Sequence, residues 1–291
     1  MIPALCMAAC LAGCQRPGPP VRPQPRYTLE RPYQAGGIWW YPRESYNAEQ
    51  TGLATVLPRA HAPLTSDGEA YDANAMAAAH PTLQLPAIAR VTNLENGLSA
   101  VVRVNDRGSP TPHRLIQLTS RAGELLGIPP GGVAQIRMTV LPAESHGAAD
   151  ELPGAPVAAI DPAPRGAVRA TDLPPPAGAR AGGGHALLAR VAAAEVPASA
   201  PPPARLPESV TRYPPSPGRL WVRLDTFQSY QYANAKRAKL ARLAPSVVPV
   251  SDGRARAWRV MLGPFGNVAD ADRALDAAIA AGVLDALIVV Q

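Results

Sequence analysis

The sequence predicts two small domains, a closed β barrel followed by an α+β domain, joined by a long disordered linker. Three observations support this fold class. Short apolar runs separated by turn residues occupy residues 49–141, strand and helix patterns alternate over residues 218–291, and Pro and Ala crowd the 142–217 linker between them. The chain of 291 residues allows about two domains, and its 35 Pro and 24 Gly favour small cores over one large core.

The charge pattern argues against a nucleic-acid partner. The net charge is +6 and the pI is about 9.5, which is compatible with a polyanionic ligand. The arginines are scattered through the chain, however, and form no basic patch interleaved with aromatic residues. We therefore predict a soluble basic body that does not bind nucleic acid.

Neither a cofactor nor a metal site is predicted. All three cysteines lie within the first fourteen residues, at Cys6, Cys10 and Cys14, so no disulfide or thiolate site can form in the body of the chain. The histidines have no i, i+3 or i, i+4 spacing that would place two ligands on one helix face.

The N-terminus has the features of a lipoprotein signal peptide. Residues 1–13 are mostly apolar and too short for a membrane span of about 20 residues. They end in Leu-Ala-Gly before Cys14, which resembles a bacterial lipobox and implies that Cys14 becomes an acylated first residue. The lack of Asp at position 15 favours the outer membrane, facing the periplasm. The alternative is a buried N-terminal helix with an incidental cysteine.

Two short segments precede the barrel. Residues 14–32 alternate Pro with polar residues and are predicted to form a flexible spacer. Residues 33–48 form an aromatic lead-in, in which Gly36-Gly37 is the turn of a hairpin and Trp39-Trp40-Tyr41 follows. Aromatic residues at such a place usually pack rather than bind a ligand.

The barrel is predicted from five short apolar runs. Asn96-Gly97 lies between two of these runs and predicts a hairpin, because both residues accept the positive φ of a type I′ turn. A short helix is predicted over Ser120–Leu126, ending at Gly127. The predicted strands are Gly52–Val56, Ala87–Thr92, Leu98–Val104, Leu115–Leu118 and Val133–Leu141.

A series of short motifs in this region resembles the double-psi β-barrel of the rare lipoprotein A family. The motifs are Gly52-Leu53-Ala54, Thr65-Ser66-Asp67-Gly68-Glu69, Ala77-Ala78-Ala79-His80, Arg90-Val91-Thr92-Asn93-Leu94-Glu95-Asn96-Gly97, Val102-Arg103-Val104-Asn105-Asp106-Arg107-Gly108 and Leu126-Gly127. Members of that family are septal lytic transglycosylases of peptidoglycan, related in fold to expansins. The resemblance implies the same fold and activity for residues 49–141.

The resemblance also implies three catalytic residues. Cleavage of a β-1,4 glycosidic bond needs a carboxylic acid that protonates the leaving oxygen, and Asp106 matches the family's residue for that role. Asp106 is expected just after a strand, where side chains meet solvent; the alternative is a turn aspartate that accepts backbone N–H groups. Glu69 is the second carboxylate and is expected to raise the pKa of one member of a like-charge pair. His80 is expected to orient a carboxylate or bind a sugar hydroxyl, unless it is structural.

Two neighbours of Asp106 are candidate substrate-binding residues. Arg107 is expected either to pair with a carboxylate in the barrel wall or to bind a substrate carboxylate such as the lactyl group of muramic acid. Asn105 is expected to bind substrate or to hydrogen-bond locally.

The chain departs from the family around the expected groove. Thr55-Val56-Leu57-Pro58 replaces the family's usual Ser-Trp-Tyr-Gly and removes an aromatic platform, and Gln117 replaces an Asp. An alternative function is therefore a non-catalytic, expansin-like or structural septal lipoprotein that binds peptidoglycan.

The C-terminal segment predicts a βαββαβ order. The helix at Val268–Ala281 places Val268, Ala271, Leu275 and Ile279 on one face and stops at Gly282. The other predicted elements are strand Leu220–Leu224, helix Tyr232–Ala244, strand Ser246–Val250, strand Ala257–Leu262 and strand Ala286–Val290.

This order, with Gly263-Pro264-Phe265 between a strand and a helix, resembles the SPOR domain, a ferredoxin-like α+β fold. SPOR domains bind glycan strands stripped of stem peptides at the division site. The resemblance thus implies septal localisation, peptidoglycan as the ligand and division proteins as partners. Strand alternation places Trp221 and Arg223 on one sheet face, with Arg259 beside them, where ring stacking and arginine donors suit a sugar. The alternative is a solvated sheet face.

Overall fold

The computed structural model describes residues 22–58, 62–156, 205–251 and 256–291. The predicted signal peptide, the lipidation candidate Cys14 and the central part of the predicted linker lie outside these residues. In the described part of the chain, no helix is long and apolar enough to cross a membrane. Across the same ranges, no group of three or more His, Cys, Asp or Glu side chains is arranged to hold a metal ion.

The aromatic lead-in forms the predicted hairpin. Strands β1 (Tyr33–Ala35) and β2 (Ile38–Trp40) pair antiparallel, with Ala35 opposite Ile38. Gly36 and Gly37 make the connection with φ values of +60° and +77°, a conformation that only glycine adopts without strain. The hairpin prediction is therefore confirmed.

A closed barrel of six strands follows. The neighbour order is β4-β7-β3-β8-β5-β6, and β4 also pairs with β6, so the sheet closes on itself. The pairs β3–β7 and β4–β6 are parallel, and the other barrel pairs are antiparallel. Closure leaves none of these strands with a free edge. The six strands are β3 (Glu49–Val56), β4 (Ala77–Ala79), β5 (Ala87–Asn93), β6 (Leu98–Asp106), β7 (Ile116–Leu118) and β8 (Val133–Val140).

The predicted barrel and the predicted double-psi fold are confirmed, with one additional strand. Alternate side chains of the strands fill the interior, among them the fully buried Val102, Val104 and Ile136. Helix α1 (Ser120–Leu125) begins at the N-cap Thr119, whose hydroxyl accepts a bond from Ala122 N. The sequence did not indicate β4, because three alanines carry neither period-2 alternation nor β-branched residues.

The β5–β6 hairpin is confirmed, but its turn is not of type I′. The connection runs over four residues, 94–97, and only Gly97 has a positive φ, +75°. The Asn96 side chain instead binds within the fold, accepting from Leu98 N and donating to the carbonyl of Leu126. A Cβ on Gly97 would lie 1.9 Å from the carbonyl oxygen of Tyr213, so this close approach also requires glycine.

Both ends of the predicted linker are ordered, which corrects the prediction for Pro142 to Pro217. Helix α2 (Pro142–Asp150) packs on β5 through Ser145, whose hydroxyl bonds both the amide and the carbonyl of Ile88. Strand β9 (Val210–Arg212) pairs antiparallel with the start of β6. The small residues of α2 and the three residues of β9 are too weak a pattern to be recognised without their partners.

The predicted flexible spacer is also wrong from residue 22 onward. Thr28 forms a two-way backbone bridge with Leu85, and Tyr27 N donates to the carbonyl of Pro153. The Tyr27 ring packs with Ala149 and Leu152 beneath α2. Backbone bonds to distant segments thus hold a Pro-rich stretch whose composition alone suggests mobility.

The C-terminal domain has the predicted βαββαβ order. Its sheet runs β11-β12-β10-β13, with all neighbours antiparallel. Helix α3 is shorter than predicted and is followed by a 3-10 turn at Ala241–Leu243, while Ala271 and Leu275 of α4 are fully buried as expected. The elements are β10 (Leu220–Phe227), α3 (Tyr230–Lys239), β11 (Ser246–Ser251), β12 (Arg256–Phe265), α4 (Val268–Ala280) and β13 (Leu287–Val290).

The two domains pack directly against each other. Leu53, on the outer face of β3, is fully buried in the apolar cluster of the C-terminal domain, and the Thr51 hydroxyl donates to the carbonyl of Val290 at 2.8 Å. Arg114 binds both carboxylate oxygens of Asp272 on α4, at 2.9 and 3.1 Å. The C-terminal domain therefore lies on the outer wall of the barrel.

Candidate active site

A β-bulge at the end of β6 directs two polar side chains toward one loop. Ala78 pairs with Val104 and Ala79 with Asp106, so Asn105 is an extra residue in the strand. Bulges often occur beside functional sites, where they redirect side chains. Asn105 and Asp106 both contact the loop of residues 64–70, which we call the acidic loop.

Asp106 is the last residue of β6, and only 5% of its surface is exposed. The expectation that its side chain meets solvent is wrong, because the strand continues two residues beyond the predicted end. Its Oδ1 accepts three hydrogen bonds, from Ser66 N at 3.0 Å, Ser66 Oγ at 2.7 Å and Arg107 N at 2.8 Å. These donors fix the orientation of the carboxyl group, as required of an acid aimed at one bond.

Glu69 is held in a buried ion pair that the sequence reasoning did not identify. Its Oε1 lies 2.8 Å from Arg103 Nε and 2.6 Å from Arg103 Nη2, and its Oε2 accepts from Asn105 Nδ2 at 2.8 Å. Arg103 and Glu69 are 34 positions apart in the chain, and the barrel fold brings their side chains together. Both carboxylate oxygens of Glu69 thus have partners, which suits a positioning role.

The sequence predicts a like-charge pair of Asp106 and Glu69, but the carboxyl group whose pKa the Glu69 charge helps to raise is that of Asp67. Asp67 is fully buried, and burial together with the neighbouring Glu69 charge raises its pKa to about 8. Its Oδ1 accepts from Thr65 Oγ1 at 2.7 Å and from Glu69 N at 3.2 Å, whereas Oδ2 has no hydrogen-bond partner among the described residues. Asp67 lies in the acidic-loop motif, but no role for it is predicted from the sequence.

Asp67→Asn is expected to remove a pH dependence of stability. The folded chain keeps the Asp67 proton from the ordinary carboxyl range up to a pKa of about 8, while the unfolded chain loses it, so stability falls as the pH rises through this range. Thermal unfolding of the wild type should therefore shift downward between pH 6.5 and 8, and the variant should show a smaller shift. Equal shifts in both proteins would contradict the assignment.

His80 is neutral and almost completely buried. Burial and, to a lesser degree, the Arg107 charge lower its pKa to about 3. Its Nδ1 accepts from Thr82 N and Leu83 N, each at 3.2 Å, so the ring proton resides on Nε2. Nε2 has no hydrogen-bond partner among the described residues, and the His80 amide donates to the carbonyl of Asp106 at 2.9 Å. The site thus contains a neutral N–H donor beside Asp106.

Arg107 is engaged within the protein, and its predicted role in substrate binding stays a prediction. Its Nη1 donates to the carbonyls of His80 and Leu83, and its Nε lies 3.0 Å from Glu30 Oε2. Only 6% of the residue is exposed. Arg107 therefore holds the His80 segment, while Asn105 donates locally to Glu69 and lines the first of two hollows described below.

The N-terminal segment crosses the acidic loop. Gln24 N donates to the carbonyl of Gly68 and Arg26 N to that of Asp67, both at 2.9 Å. Gly68 has a φ of +87°, and a Cβ there would lie 2.3 Å from the carbonyl oxygen of Gln24. Glycine at this position therefore permits both the turn and the close approach of the segment.

Two hollows flank these residues. The first has a volume of about 460 Å³ and is lined by Glu69, Arg103 and Asn105, with Pro23 and Pro25 on another wall. The second, of about 610 Å³, is lined by His80 and lies between the barrel and the C-terminal domain. Asp106 lines neither hollow, whereas its neighbours Asn105 and His80 each line one of them.

The strand register places the predicted C-terminal candidates on one sheet face. Leu220, Val222 and Leu224 point toward the helices, so Trp221 and Arg223 lie on the opposite face, and Arg223 pairs with Met261. Arg259 is two residues from Met261 and lies on the same face. Burial, then the charges of Arg259 and Arg43, lower the pKa of Arg223. The face thus concentrates positive charge.

The barrel, its acidic loop and the appended sheet define a two-domain protein of the lytic transglycosylase barrel class. Residues 34–138 match the family described as lytic transglycolase, and residues 216–289 match the SPOR domain. The chain belongs to the family of endolytic peptidoglycan transglycosylases RlpA. It is 31% identical over 260 residues to the member from Pseudomonas aeruginosa, an alignment that covers 84% of this chain and 72% of the relative.

Other members match over shorter stretches of the chain. The Endolytic peptidoglycan transglycosylase RlpA of Helicobacter pylori is 41% identical over 113 residues, which are 38% of this chain and 36% of the relative. That of Neisseria meningitidis is 39% identical over 121 residues, which are 40% of this chain and 51% of the relative. The chain therefore spans well under two thirds of these two relatives.

Proposed function

We propose that the barrel is a lytic transglycosylase that cleaves β-1,4 glycosidic bonds of peptide-free peptidoglycan strands, with Asp106 as the general acid and base. The observation that carries the proposal is the Asp106 carboxyl group, which three donors orient at a strand end that also bonds the His80 amide and, through Asn105, Glu69. Membership of a family whose relatives are named peptidoglycan transglycosylases supports it.

The proposed reaction needs no water. Protonated Asp106 transfers its proton to the glycosidic oxygen, and the bond between that oxygen and the anomeric carbon breaks. The 6-hydroxyl of the same sugar attacks the anomeric carbon and forms the new C–O bond. Asp106, now a carboxylate, accepts the hydroxyl proton and is ready for another turnover. The product carries a 1,6-anhydro ring.

The neighbouring residues have supporting roles in this proposal. Glu69, whose charge is paired with Arg103, holds Asn105 in place through its Oε2. The Nε2–H of His80 is available to donate to a sugar oxygen, since Nδ1 is occupied by two backbone amides. Because its pKa is about 3, His80 keeps this donor at every pH near neutrality.

The remaining parts of the chain deliver the barrel to its substrate. We assign glycan-strand binding to the open sheet face of the C-terminal domain, with Trp221, Arg223 and Arg259 as contacts, and recruitment to the septum follows from that binding. Cys14 anchors the chain to the outer membrane in this proposal. Radiolabelled palmitate should therefore label the wild type in cells and should not label Cys14→Ser.

The catalytic proposal is tested by the products formed. The full chain in mild detergent is incubated with peptide-free glycan strands, and the fragments are analysed by mass spectrometry. Fragments ending in 1,6-anhydro sugars are expected, and their absence would contradict the enzyme. In pull-down experiments, amidase-treated sacculi should retain more protein than untreated sacculi, and equal retention would contradict specificity for peptide-free strands.

A non-catalytic glycan-binding function is the second candidate. The low exposure of Asp106 and the N-terminal segment across the acidic loop favour it, because both restrict access to the carboxyl group. Binding of peptide-free strands without any anhydro product would support this function.

A further inference from the structure

The hollow between the two domains exposes aromatic rings that no part of the proposed reaction uses. Trp39 is 50% exposed and Tyr41 is 59% exposed, and both line this hollow at the end of the lead-in hairpin. Large exposed aromatic side chains that share a concave surface are typical of ligand sites. Their flat apolar faces suit the apolar face of a sugar ring.

The charged residues of the hollow leave an excess of positive charge. Glu49 and Arg114 also line it, but both are engaged in ion pairs with residues outside the lining. Arg43 and Arg223 form no ion pair among the described residues, and Asp285 is the remaining charged group of the lining. This balance favours an anionic ligand, and the lactyl groups of peptide-free glycan strands are carboxylates.

The hollow connects both domains to the candidate active site. Arg223 comes from the C-terminal domain, the aromatic rings come from the hairpin, and His80 lies in the barrel next to Asp106. His80 is only 1% exposed, its amide donates to the carbonyl of Asp106, and its Nε2 has no hydrogen-bond partner among the described residues. The hollow has a volume of about 610 Å³, which is sufficient for a short oligosaccharide.

We propose that this interdomain groove is an additional saccharide-binding site, in which Trp39 and Tyr41 stack on sugar rings and Arg43 and Arg223 bind carboxylates of the same strand. The proposal rests on the proposed function for the identity of the ligand. It goes beyond that function because the barrel and the C-terminal domain then hold one continuous strand. The lead-in hairpin supplies the aromatic platform that Thr55-Val56-Leu57-Pro58 lacks.

The test measures binding without cleavage. All variants carry Asp106→Asn in the full chain, and affinity for purified peptide-free glycan fragments is measured by calorimetry in mild detergent. Trp39→Ala with Tyr41→Ala is expected to weaken binding about tenfold. Tyr232→Ala, which removes a 69% exposed ring on α3 outside the groove, should leave the affinity unchanged. Trp39→Phe with Tyr41→Phe, which keeps both rings, should bind within about twofold of the parent.

Two further comparisons make the outcome specific. Arg43→Gln is expected to weaken binding of carboxylated fragments but not of neutral chitin oligosaccharides of equal length. The proposed saccharide-binding site would be overturned if the double alanine variant kept its affinity, or if Tyr232→Ala lost as much affinity as that variant. Failure of the unsubstituted chain to form anhydro ends would overturn the catalytic proposal alone, because the binding comparison does not depend on cleavage.

Discussion

Asp106→Asn is expected to reduce the formation of anhydro-ended fragments by about 10²- to 10⁴-fold, the range typical of general acid–base catalysis. The amide has nearly the shape of the carboxyl group but cannot supply or accept the proton. Its oxygen can still accept from Ser66 and from Arg107 N, so the loop and strand should keep their arrangement. The rate of fragment formation, followed by mass spectrometry, measures the effect.

The matched control for this substitution is Asp150→Asn. Asp150 is an exposed carboxylate at the end of α2 in the same domain, and its replacement should change the rate less than about twofold. Both variants should show the thermal midpoint of the wild type within a few degrees. If Asp106→Asn retained most of the activity while folded, another group would have to be the acid.

Glu69→Ala is expected to destabilise the barrel by about 3–5 kcal/mol, because it leaves the buried Arg103 without its counter-ion. The side chains of Glu69 and Arg103 are only 7% and 11% exposed, so solvent would screen the remaining charge poorly. Asn105 would also lose the acceptor for its amide. The free energy of unfolding in urea measures this effect.

Removing both charges should separate stability from activity. Glu69→Leu with Arg103→Met replaces the ion pair with apolar side chains of similar size and should recover much of the lost stability. Activity should nevertheless remain low, since the anchor of the Asn105 side chain is still absent. Recovery of activity together with stability would show that Glu69 only maintains the fold.

Local patterns predicted much of this molecule. The sequence predicts helix α4 from its helical period, the first hairpin from its Gly-Gly turn, and strand β10 from its alternation of buried and exposed residues. Each of these patterns depends on residues only a few positions apart. The motif series in the barrel region predicts Glu69, His80 and Asp106 as site residues. The structure then brought all three segments together at the end of β6.

The remaining features depend on partners distant in the chain. Strand β4, helix α2 and strand β9 have weak local patterns and exist because β6 and β5 provide hydrogen bonds and an apolar surface. The protonated state of Asp67 likewise follows from burial beneath the N-terminal segment and from the Glu69 charge.

The sequence by itself thus determined the two folds and the identity of the candidate acid, because short-range periodicity and motif order specify both. Only the tertiary structure showed that Arg107 bonds the His80 and Leu83 carbonyls, that Arg103 neutralises Glu69 and that the two domains share a groove. These contacts join residues that are tens to hundreds of positions apart in the chain. The fold of the whole chain, rather than local sequence, therefore sets the distances between them.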